Sequence, residues 1–171
     1  MYQVGDLVVY GNTGVCRIRE ISHRTRPGFD DKQLYYTLEP LQQDCMIYAP
    51  VDGTIFMRPV ISRQEALDLI DLIPTMDAEA YHNPVLRQLT EHYEAALGKH
   101  DCGELIAMTM SLYAKKQGMI ERKRKFGAVD ERYMKRAQEL LFGELSAVLG
   151  IPEEQVPDFI ASRVEAQKFP G

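Results

Sequence analysis

DLVVYGNTGVCRIREIS, residues 6 to 22, decides the fold of the first half of the chain. Its β-branched and aromatic residues flank Gly11-Asn12-Thr13-Gly14, a cluster suited to positive backbone angles, and that combination predicts a β-hairpin. In the second arm Ile18 and Ile21 break strict alternation, so a bulge or bend there and a strongly curved small sheet are expected.

Arg26 to Lys32, RPGFDDK, is a loop by its Pro, Gly and paired Asp. QLYYTLEP and DCMIYAP then predict two further strands, each closed by a proline that cannot extend a ladder, and a short fifth strand falls near TIFMRPV. Ser62 opens S-R-Q-E, a capping box, with Ala66, Leu67, Leu69, Ile70 and Ile73 at helical spacing behind it. From Thr75 onward the period is helical throughout, which places the domain boundary near residue 74 and predicts domains 1–74 and 75–171.

Four bundle helices are expected in the second domain. Asn83-Pro84 caps the first, which ends at Leu97-Gly98; Asp101 to Glu104 is a second capping box, whose helix runs to Gly118. A third spans about Asp130 to Leu149 with a wide apolar stripe, and a fourth carries Val156, Phe159, Ile160 and Val164. The eight methionines suit a bundle core rather than a cofactor site. The fold class is thus α+β, a small curved sheet followed by an all-helical half.

Composition narrows the function classes. The 171 residues are 45% apolar and 26% charged, ordinary globular usage, with a formal net charge of -5. No run approaches the roughly 18 apolar residues of a membrane span, and MYQVGD lacks the order of a signal peptide, so a cytoplasmic protein without a membrane partner is expected. Cys16, Cys45 and Cys102 form no C-x-x-C pair, and the four histidines lack ligand spacing, so neither a disulfide framework nor a metal site is predicted. There is no Gly-rich phosphate loop, G-x-S-x-G elbow or H-E-x-x-H, and no enzyme or cofactor is expected.

One segment departs from the acidic background. KKQGMIERKRKF, residues 115 to 126, opens a window to residue 136 that holds Lys115, Lys116, Arg122, Lys123, Arg124, Lys125, Arg132, Lys135 and Arg136 against three acids, a net charge of +6. A solvated helix face and a docking surface for a polyanion both fit such a run. Adjacent exposed like charges repel unless an anion compensates them, and charge alone leaves the two readings even.

Val4-Gly5-Asp6-x-Val8-Val9-Tyr10 with Gly14, together with Glu139-Leu-Leu-Phe-Gly-Glu-Leu145 in a helical second half, resembles the CarD/CdnL family of bacterial transcription regulators over nearly the whole chain. The resemblance implies that the first domain is a Tudor-like barrel, shared with transcription-repair coupling factors, that binds the RNA polymerase β subunit. Ile21-x-x-Arg24-Thr25 reproduces a family pattern in which the arginine contacts polymerase. A second family arginine falls at Tyr48, so Arg24, Thr25, Ile47 and Tyr48 inherit the polymerase surface.

The same resemblance implies that the helical half touches promoter DNA at the upstream edge of the transcription bubble, through phosphates and a tryptophan in the minor groove. This chain has no tryptophan. Val85-Leu86-Arg87 aligns with the wedge, and Leu86 has two readings: a substitute wedge with Arg87 beside it, or a core residue, the second being preferred. A family Lys-Arg pair becomes Glu131-Arg132, and a later lysine becomes Arg136. DNA contact is therefore assigned to Leu86, Arg87, Arg122, Lys123, Arg124, Lys125, Arg132, Lys135 and Arg136.

The expected function is a monomeric, nucleoid-associated regulator that binds polymerase and duplex DNA without sequence readout and modulates open-complex stability. A polymerase adaptor with no DNA contact is the first rival, and a barrel that binds RNA is the second.

Overall fold

The computed structural model describes residues 1–168; residues 169–171, the end of the expected second domain, lie outside the described residues. The chain forms two compact units, Met1–Val60 and Ile61–Gly171.

The first unit is an antiparallel sheet of five strands: β1 (Leu7–Tyr10), β2 (Gly14–His23), β3 (Leu34–Pro40), β4 (Ile47–Pro50) and β5 (Met57–Pro59), in the spatial order β4-β3-β2-β1-β5. The hairpin forms where the Gly-Asn-Thr-Gly cluster predicts it, with Gly11 and Gly14 both at positive φ and Tyr10 opposite Gly14. The irregularity in β2 is a register shift between Ile18 and Glu20, which twists the long strand over its partners. β4 and β5 are the two edges and the sheet does not close on itself, so the pairing pattern is that of an open, bulged sheet. Val8, Tyr10, Cys16, Ile18, Tyr36, Leu38 and Ala49 form its core.

The helical unit contains α1 (Arg63–Asp71), α2 (Leu86–Leu97), α3 (Cys102–Glu121), α4 (Ala128–Leu149) and α5 (Val156–Lys168), with short 3-10 turns at Ile73–Thr75 and Glu153–Gln155. Both predicted capping boxes supply their N-caps: Ser62 Oγ accepts the Glu65 N–H and an Asp101 carboxylate oxygen accepts the Glu104 N–H, each at 3.0 Å. α1 falls in this unit, which puts the division earlier than residue 74. Ala66 and Ile70 are fully buried in the helical core, so the first helix after the sheet is held by its apolar face to the bundle.

Two element ends differ from the sequence expectation. Asn83-Pro84 does not begin α2; Asn83 Oδ1 accepts the Val85 N–H at 2.9 Å in a turn that precedes the helix. α3 continues beyond Gly118 to Glu121, since a glycine at that one position costs the helix only about 1 kcal/mol.

Polar groups buried in the bundle are paired. Glu144, the middle of Gly143-Glu144-Leu145, is only 1% exposed and accepts the backbone N–H of Ile61 at 3.0 Å, fixing the start of the unit to α4. Asp130, in the first turn of α4, accepts the Lys115 ammonium of α3 and the Tyr93 hydroxyl of α2. Burial and the Asp130 carboxylate together push the Tyr93 hydroxyl well above its ordinary pKa, so it stays a donor.

Because Lys115 and Asp130 are each about 6% exposed, removing one charge strands the other. Lys115→Met is expected to destabilise the protein by about 3–5 kcal/mol in denaturant unfolding. Lys125→Met, at an exposed position, is expected to shift it by less than about 0.5 kcal/mol.

Candidate functional site

The sheet unit carries a cationic aromatic cluster. Arg24 follows directly on β2, and its guanidinium lies over the Tyr48 ring of β4, with Cζ 3.7 Å from the ring centroid. One of its terminal nitrogens donates to Thr37 Oγ1 at 3.0 Å. Thr37 and Tyr48 face each other across the β3–β4 ladder, so the sheet register places hydroxyl and ring side by side.

Phe29 completes the cluster. Arg26-Pro27-Gly28-Phe29 is a turn closed by the Phe29 N–H on the Arg26 carbonyl, with Gly28 at positive φ. This turn delivers the Phe29 ring edge-on to both Tyr48 and Tyr35, at centroid distances of 5.5 and 5.3 Å. The sequence reading named neither Phe29 nor Thr37; the R-P-G-F turn signal could have directed attention to the first.

The four residues assigned to a polymerase surface are thus unequal. Arg24 and Tyr48 are in direct contact, although 24 positions separate them in the chain. Thr25 is exposed, and Ile47 is half-buried against the sheet core. The tyrosines also divide: Tyr35 and Tyr36 are buried, Tyr2 is half-buried, and Tyr48 is 37% exposed.

In the helical unit, Arg122, Lys123, Arg124 and Lys125 are all exposed in the connection between α3 and α4. None of the four makes an ion pair among the described residues. The backbone beneath them is ordered as a Schellman motif: the Lys123 N–H donates to the Ile120 carbonyl and the Arg124 N–H to the Met119 carbonyl. Lys123 itself takes the left-handed conformation, φ 57°, where glycine is the usual occupant.

The remaining cations separate. Lys115 is internal and pairs with Asp130 of the same window, so one cation and one acid leave the surface together and the window's net charge of +6 is unchanged outside. Lys116 lies above the Phe126 ring at 5.7 Å, Arg132 near Tyr133 at 5.0 Å, and Arg136 pairs with Glu139 at 3.7 Å. Lys135 is exposed. Arg132, Lys135 and Arg136 share the i, i+3, i+4 face of α4.

Leu86 is 63% exposed, and its neighbour Val85 is also exposed. The preferred reading of Leu86 as core is therefore wrong. It occupies the first position of α2, and the side chain that α2 buries in this part of the bundle is Leu89 instead. Arg87, beside it, pairs with Glu91 at 3.2 Å on the outer face.

Cys45 is exposed, whereas Cys16 and Cys102 are buried, and burial pushes the Cys16 thiol up to about 11. At pH 8 a soluble disulfide reagent is expected to titrate one thiol rapidly and the other two only after unfolding. Three equally fast thiols would contradict the burial of Cys16 and Cys102. Lys123→Gly relieves a left-handed non-glycine residue and is expected to raise stability by roughly 1 kcal/mol, measured by urea unfolding.

Residues 2–61 match the CarD-like/TRCF RID domain family, a family of RNA polymerase-interacting domains. The match covers about a third of the chain, and its limits coincide closely with those of the sheet unit.

Proposed function

We propose that the CarD-like/TRCF RID domain of this chain docks on the RNA polymerase β subunit through the Arg24–Tyr48 surface, while the helical unit contacts duplex DNA upstream of the transcription bubble. The protein is then a non-enzymatic transcription regulator of the cytoplasm, acting as a monomer on the nucleoid. Contacts available only when the promoter is open would shift the lifetime of that state without reading sequence. The bulged, open sheet is read as this family's Tudor-like module.

The observation that carries the DNA half is the run of four exposed cations from Arg122 to Lys125, none of them ion-paired among the described residues, held on an ordered backbone. Four adjacent like charges with no ion pair among the described residues are stabilised by a polyanion. Arg132 and Lys135 extend the positive surface along α4. Exposed Leu86, with Arg87 next to it, supports the wedge reading, since an aliphatic side chain can enter between base steps.

The absence of tryptophan favours a second reading, an adaptor that binds polymerase and meets an acidic protein surface with the same loop. Salt dependence on duplex DNA discriminates the two. A full-length variant with Arg122, Arg124 and Lys125 changed to Ala and Lys123 to Gly is expected to bind duplex more weakly, with a log–log salt slope flatter by about 3. An unchanged slope would assign the loop to a protein partner. In parallel, Arg24→Glu in the full chain is expected to abolish binding to core RNA polymerase, and wild-type binding by this variant would refute the docking surface.

A further inference from the structure

We propose that Tyr48 is a positioning residue for Arg24, stacking the guanidinium so that its free terminal N–H groups are presented to a carboxylate on the docking partner. This rests on the docking role of Arg24 and adds the partner chemistry.

A guanidinium has five N–H groups in its plane, and here one terminal nitrogen is engaged by Thr37 Oγ1. Nε is buried and has no hydrogen-bond partner among the described residues. The Nε–H is thus unsatisfied but sealed from a partner, the donors a partner can reach are on the terminal nitrogens, and a group this short of acceptors gains most from an anionic one. Carboxylate fits the end-on geometry of two terminal nitrogens, because its two oxygens match their spacing.

Tyr48 acts perpendicular to that plane. A ring face 3.7 Å from Cζ attracts the cation without consuming any in-plane donor. Phe29 meets Tyr48 at an interplanar angle of 88°, bracing the ring from the side, and Thr37 fixes rotation within the plane. Position 48, where the resemblance places a second arginine, thus gives up a charge and immobilises the one at position 24. An unsupported arginine would have to lose its rotamer freedom on binding; this one has lost much of it already.

The experiment measures dissociation constants for core RNA polymerase with full-length wild type, Tyr48→Phe, Tyr48→Leu, Arg24→Ala and the double variant Arg24→Ala/Tyr48→Leu. Phe keeps the ring face and is expected to bind within about twofold of wild type; Leu fills space without a π face and should bind about tenfold more weakly. Tyr48→Leu should add no further loss in the Arg24→Ala background. Wild-type binding by Tyr48→Leu, or an equal loss in both backgrounds, would overturn the proposal, the latter because Tyr48 would then be touching the partner by itself. If Arg24→Ala binds like wild type, the docking reading fails and the positioning role with it.

A second readout is independent of polymerase and of the variants' stability. In the free wild-type protein, NMR of the Arg24 side chain should show its protons shifted upfield by the Tyr48 ring. Unshifted resonances would overturn the stacked arrangement.

Discussion

A carboxylate sealed from water organises the helical unit. Asp130 receives the ammonium of Lys115 and the hydroxyl of Tyr93, so one side chain ties α2, α3 and α4 together. It also sits in the first turn of α4, where the helix dipole favours negative charge. One turn further on, Tyr133 donates to Glu94 and repeats the α2–α4 link. Lys115 and Asp130 lie on either side of the connection that holds Arg122 to Lys125, so the two helices flanking four mutually repelling cations are fixed by an attraction of opposite sign. The acid that neutralises part of the basic segment is internal, and what remains outside is available to a partner.

The sheet unit solves a different problem with similar economy. The cation of its aromatic cluster is a single arginine at the end of β2, and the groups around it come from three places: the turn before β3, β3 itself and edge strand β4. Antiparallel register brings them together, since Thr37 opposite Tyr48 is a consequence of how β3 and β4 pair. A slip of one residue in that ladder would turn Tyr48 to the other face and remove the shelf under Arg24.

Local features were readable from the residues, and features that depend on rotation or on distant pairing were not. The hairpin at Gly11 to Gly14, the bulge in β2 and the N-caps at Ser62 and Asp101 follow from neighbours a few positions apart, and all are present. Lys115 and Lys116 look alike in a basic run, yet a helical step of about 100° sends the first inside and leaves the second near the surface. Leu86 was misjudged because an apolar residue at a helix start is indistinguishable in sequence from a core position. Arg24 and Tyr48 were each singled out through resemblance, but their contact needed the sheet. Glu144 stands in the Gly143-Glu144-Leu145 triplet, and its physical task, holding the backbone N–H of Ile61, appears only when residues far apart in sequence meet.

The order of the strands has a further consequence, for how the sheet opens and closes. β1 to β4 form a meander in which every strand pairs with its chain neighbour, so their contacts need only short loops to close. β5 alone must return across the whole sheet to reach β1, and it brings just three residues, the last of them a proline without an N–H. Loop closure weighs most on the pairing that spans the most chain and has the fewest bonds to offset it. The β1–β5 seam is accordingly the last to zip in folding and the first to fray in the native state, leaving the opposite edge, with Tyr48 and its arginine, on the steadier part of the sheet.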